Sequence, residues 1–95
     1  MNEKEAYERK LQAQLDEWNA EINKLKAKAA KAEADAQIES ARYIEELERQ
    51  QQQAQEKLRE LQKSSDDAWN DLKVGVDSAW RSLDESIRSA FSRFR

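Results

Sequence analysis

From Leu11 onward the apolar residues fall at Leu11, Leu15, Trp18, Ile22, Leu25, Ala29, Ala32 and Ala36. The spacing alternates four and three, which is the seam of a heptad helix. Charged residues such as Glu5, Arg9, Asp16, Glu17 and Lys24 occupy the opposite face. Towards the C-terminus the rhythm changes. Trp69, Trp80 and Phe91 stand eleven apart, as do Leu72, Leu83 and Phe94, and Val76 and Ile87. An eleven-residue repeat holds its stripe on one face of a nearly straight or right-handed helix. Trp69, Leu72, Val76, Trp80, Leu83, Ile87, Phe91 and Phe94 share one arc of about 100° on a helical wheel. Val74 is the large apolar residue that falls well off it.

Between these segments the frame slips. Ala36, Ser40, Ile44 and Leu47 read as a stutter near residues 36–44, which locally unwinds a left-handed supercoil. Ile44, Leu47, Gln51, Ala54, Leu58 and Leu61 then restore the seam. Gln51 puts a polar side chain on the stripe, which weakens a seam and can fix its register. The pattern therefore predicts one long heptad-type helix over residues 1–63 and an amphipathic helix with the eleven-residue repeat over 64–95.

How the two are joined is left open by the pattern. Ser64 with Asp67 three residues later resembles a helix start, and acidic residues suit a first turn, so a turn near residues 63–66 would make a hairpin. The stripe also passes through Leu58, Leu61, Ser65, Trp69 and Leu72 without losing phase. A continuous rod, about 140 Å long at 1.5 Å per residue, satisfies the same spacing. The expected fold class is all-α: a long amphipathic helix assembled as a coiled coil or helical bundle, with or without the hairpin. Gly75 costs about 1 kcal/mol relative to alanine inside a helix. It reads equally as a tolerated weak point and as a place where something bulky packs close.

Composition narrows the chemistry. The 95 residues contain no Cys, no His, no Pro and one Gly, with 17 basic and 20 acidic side chains and a net charge of −3. Missing Cys and His remove disulfides, the usual zinc sites, thiol nucleophiles and imidazole acid–base chemistry. One glycine cannot build a phosphate-cradling loop. Glu45, Glu46 and Glu48, or Asp66 and Asp67, lack the oxygen-rich loop of a calcium site. No catalytic, cofactor-binding or metal-binding residue is expected. The short basic stretch Lys24, Lys26, Lys28 and Lys31 has no interleaved aromatics, so no nucleic-acid partner is expected. The N-terminus has no apolar run and no segment approaches the roughly 20 apolar residues of a membrane span, which points to a cytoplasmic protein.

An aromatic stripe of this size needs a cover, since burying each large side chain contributes roughly 1.5–3 kcal/mol. Another copy of the chain, or the chain's own long helix, is the first candidate. A lipid surface is the second, although residues 66–95 carry six acidic and five basic side chains and so a mixed polar face. A groove on a different protein is the third. The expectation is a self-associating structural or interaction protein, a homo-oligomer without catalytic activity, serving as an adaptor for an unidentified protein partner. Leu11, Leu15, Trp18, Ile22, Leu25, Leu58 and Leu61 would carry self-association, and the eight residues of the C-terminal arc would pack against a helix or lipid. The alternative is a membrane-surface or stress-protective amphipathic helix.

The stretches Asn2-Glu-Lys-Glu-Ala-Tyr7, Leu11-Gln-Ala-Gln-Leu-Asp-Glu-Trp-Asn-Ala20 and Ile22-Asn-Lys-Leu-Lys-Ala-Lys28 resemble a family of small bacterial coiled-coil-domain proteins of unknown function. Asp67-Ala-Trp-Asn-Asp-Leu-Lys73 and Ser78-Ala-Trp80 look like a second block of the same family. The resemblance implies a helical protein and carries over no catalytic or ligand residue. The eleven-residue period, though not its motif, is similar to that of apolipoprotein-like and desiccation-protective helices.

Overall fold

A computed structural model describes residues 2–93. Among these the chain forms α1 (Glu3–Ala30), α2 (Ala34–Lys63) and α3 (Asp66–Arg93), with no strand. Short turns reverse the direction twice, so α1 and α3 run parallel and α2 runs against both. The molecule measures 51 × 20 × 18 Å, far from a 140 Å rod. Both rod-like expectations are thereby corrected: residues 1–63 are two helices, and the chain closes on itself as a three-helix bundle.

The turn missing from the sequence reading lies at Lys31–Glu33. It uses neither Gly nor Pro, and it needs neither. Lys31 ends α1 in right-handed conformation (φ −95°, ψ −5°), and Glu33 precedes α2 in extended conformation (φ −64°, ψ 159°). No described residue has a positive φ, so ordinary side chains fit throughout. Helix ends leave backbone carbonyls without partners. Here Gln37 reaches back from the first turn of α2, and its Nε2 donates to the carbonyls of Ala30 and Ala32 at 3.1 and 2.9 Å. The apparent stutter near 36–44 is the fresh phase of a new helix. Ala36, placed on the seam by spacing, is exposed at this end of the bundle.

The second turn falls at Ser64–Ser65, as the hairpin reading places it. Its cap is Ser65 and not Ser64. The Ser65 Oγ accepts from the Ala68 N–H at 3.3 Å, and its carbonyl accepts from the Trp69 N–H at 2.8 Å. Ser64 instead donates its hydroxyl to the Leu61 carbonyl at 2.6 Å. Lys4 fastens the start of α1 to this turn, donating to the Ser64 carbonyl at 3.2 Å with the Asp66 carboxylate 3.8 Å away.

One core runs the length of the bundle. Leu11, Leu15, Trp18, Ile22 and Leu25 come from α1; Ile44, Leu47, Ala54, Leu58 and Leu61 from α2; Trp69, Val76, Trp80, Leu83, Ile87 and Ala90 from α3. Side-chain amides bond across α1 and α2. Gln51 Nε2 donates to the Leu15 carbonyl at 3.3 Å, and Gln12 and Gln55 pair through their side chains. The polar seam residue Gln51 thus bonds across to α1 within one chain.

Candidate interaction groove

The residues read as two separate contact surfaces meet in this core. Leu11, Leu15, Trp18, Ile22, Leu25, Leu58 and Leu61, expected to face another copy, are buried by their own chain. Trp69, Val76, Trp80, Leu83 and Ile87 are buried against them, and Leu72 and Phe91 are half-buried. Phe94 lies outside the described residues. Of the covers open to the stripe, the chain's own helices supply it, and the turn at 31–33 brings three of them together in place of two. Among the described residues, Val74 and Ile38 are the large apolar side chains left exposed. They stand on different helices and make no patch.

The helices α1 and α3 meet through aromatic side chains at levels eleven residues apart. Tyr7 and Trp69 form the first level, edge to face with ring centroids 5.4 Å apart at 77°. Trp18 and Trp80 form the second, tilted by 47° with centroids 6.3 Å apart. The repeat on α3 continues to Phe91, but the matching position on α1, eleven beyond Trp18, is Ala29. The third level has an aromatic on one side only. Phe91 stays half-buried, with the Lys28 ammonium 6.0 Å from its ring centroid. A cation at this distance from an aromatic face is attracted by the ring quadrupole.

Below that level α1 and α3 enclose an open groove of about 600 Å³. Trp18, Ile87 and Phe91 form its floor. Gln14, Glu17 and Glu21 line it from α1, and Asp84, Arg88 and Ser92 from α3. On each helix the lining residues follow the three-and-four spacing of a single face. Arg88 pairs with Asp84 at 3.1 Å, one turn away on its own helix, so those two charges largely cancel. Glu17 and Glu21 remain as carboxylates along the α1 wall. A second groove of about 430 Å³ runs between α2 and α3, where Tyr43, Ser82, Ser86 and Ser89 line it over Leu47 and Ala90. The Arg93 guanidinium covers the Tyr43 ring there at 4.6 Å.

At the first level the polar end of Tyr7 is held. Its hydroxyl donates to the Asp77 carboxylate, and Lys73 sits over both the Tyr7 and Trp69 rings at 4.9 and 5.7 Å. Burial pushes the phenol well above its ordinary value, and the bond to Asp77 and the charge of that carboxylate push the same way. The indole N–H groups of Trp69 and Trp80 are buried without an acceptor.

Among the described residues no group of three or more Asp, Glu, His or Cys side chains is placed to hold a metal ion, and no helix is long and apolar enough to cross a membrane. Sequence reasoning missed Tyr7 as the α1 counterpart of Trp69. Its signal was present: Tyr7 and Trp18 carry the same eleven-residue spacing as Trp69 and Trp80. The pattern puts Glu17 on the charged face and singles out no role for Glu21; their place on a groove wall depends on which helix lies alongside.

A scan against protein-family models finds no matching family, and searches of curated proteins and of solved structures find no match. The fold and groove define a small antiparallel three-helix bundle, and the functional reading rests on its surface alone.

Proposed function

We propose that this chain is a non-catalytic interaction module, an adaptor-type bundle that folds as a single chain and engages a protein partner through the groove between α1 and α3. The observation that carries the reading is the mismatch at the third aromatic level. Phe91 has no aromatic counterpart on α1, and the groove beneath it is walled by two regular helix faces. Helical grooves with an apolar floor and polar walls are a recurrent means of peptide recognition. Action through the surface, in preference to self-association, is supported by the burial of Leu11, Leu15, Trp18, Ile22, Leu25, Leu58 and Leu61 within one chain. A lipid-bound form would have to open the bundle to expose Trp69, Trp80 and Ile87.

Light-scattering mass and helicity at two protein concentrations test the first part. A mass of 11.1 kDa at both concentrations, with high helicity in buffer, is expected. A stable dimer, or helicity that appears only with anionic vesicles, would overturn it. The groove is tested by amide chemical-shift mapping against peptides. Shifts confined to Gln14–Glu21 and Asp84–Ser92 are expected, and shifts elsewhere would move the site.

A further inference from the structure

Resting on that reading, we infer that the groove between α1 and α3 takes a cationic partner segment, an amphipathic peptide whose arginine side chains lie along the Glu17–Glu21 wall and over Phe91. Charge complementarity carries the assignment. Of the four charged side chains lining the groove, Asp84 and Arg88 satisfy one another. The two left facing it are Glu17 and Glu21, one turn apart on α1. A cation already occupies the upper edge of the same feature, since Lys28 approaches the Phe91 ring. That contact is made by a flexible side chain at the outer limit of a cation–π distance, and an incoming guanidinium can replace it. A guanidinium suits the site doubly, because its planar fork matches a carboxylate and its face stacks on an aromatic ring. An acidic segment would meet two like charges at the wall, Glu17 and Glu21. A purely apolar one would leave Glu17 and Glu21 desolvated beside it.

The test is a calorimetric titration of the intact protein with a short amphipathic peptide of leucine, alanine and arginine. Two companions replace every arginine with glutamine or with glutamate. The arginine peptide is expected to bind and the glutamate peptide not to. The double variant Glu17→Gln/Glu21→Gln changes two surface positions and is expected to keep the melting curve of the parent. It should bind the arginine peptide about three- to thirty-fold more weakly, as expected for two partly exposed ion pairs, and the loss should shrink in high salt. Equal binding of the arginine peptide by parent and double variant would overturn the inference. So would preference for the glutamine peptide with shifts in the groove, which would leave the groove reading standing. Absence of binding by all three peptides would overturn both.

Discussion

Trp18 and Trp80 face one another across α1 and α3, ring centroids 6.3 Å apart, and the same sequence separation divides Tyr7 from Trp69. The bundle is thus locked by two aromatic rungs in matched register on parallel helices. Removing either indole leaves a large hole in a narrow core. Trp18→Ala or Trp80→Ala is expected to cost about 3–5 kcal/mol, a large part of the stability of a domain this size. Trp80→Phe is expected to be mild, because it keeps most of the ring and removes a buried N–H that has no acceptor. Urea denaturation of the single and double alanine variants checks the rung itself. The pair should show a coupling of about 0.5–1.5 kcal/mol. Strict additivity would mean that each indole packs independently.

Gly75 offers the opposite case. It lies within α3 at negative φ, and a methyl group built on its Cα would meet nothing within 4 Å. Neither close packing nor a left-handed backbone therefore requires glycine there. Gly75→Ala is expected to stabilise the protein by about 0.5–1 kcal/mol, mostly by restricting the unfolded chain. For a domain of this length that corresponds to a rise in Tm of several degrees, about 4–8 °C per kcal/mol. Thermal melting followed by circular dichroism reads it directly. An unchanged or lower Tm would show that residue 75 has a role the packing does not reveal.

How far the fold was legible depends on what each feature needed. The stripes were legible because burial imposes a period, and Leu11 to Leu25 and Trp69 to Ile87 are where that period puts them. The turn at Ser64–Ser65 was partly legible: serines ahead of acidic residues marked it, but the spacing named Ser64 where Ser65 is the cap, and the unbroken stripe also fitted a rod. The turn at Lys31–Glu33 was not, since its backbone suits any residue and its seam continues through Ala29 and Ala32. What selects it is non-local. Folding there lets α1 cover α2 and α3, and no short window of sequence contains that gain. The groove was illegible for the same reason, because Glu17 belongs to a wall only once α3 lies beside it.

Gln37 is the local device that makes the glycine-free turn tenable. Its amide donates to the carbonyls of Ala30 at the end of α1 and Ala32 in the turn, doing from α2 what a C-terminal glycine usually allows the backbone to do. Gln37→Ala is expected to cost about 0.5–1.5 kcal/mol, and Gln37→Glu at least as much, since a carboxylate repels the same carbonyls. Hydrogen exchange gives the sharper readout. Amides at the end of α1 and the start of α2 should lose protection in Gln37→Ala, while those around Leu58 and Leu61 should follow only the global change. Uniform loss across all three helices would mean that the turn has no local stability of its own.

Tyr7 is expected to make a small part of the bundle's stability depend on alkaline pH. Burial, then the hydrogen bond to Asp77 and the charge of that carboxylate, raise the phenol above its ordinary value of 10.0. The folded state therefore holds this proton to higher pH than the unfolded chain does. A raised folded pKa contributes stability that is fully present below the unfolded pKa and is lost as pH climbs towards the folded one. Tyr7→Phe should be less stable than the parent at neutral pH by about 0.5–1.5 kcal/mol, the value of the lost hydrogen bond. Above about pH 10 the gap between the two should close, because only the parent has this proton to lose. Groups common to parent and variant cancel in the comparison. Urea midpoints of parent and variant from pH 8 to the alkaline limit of folding measure the difference. A gap that stays constant through pH 10 would mean that the Tyr7–Asp77 contact does not hold the phenol protonated.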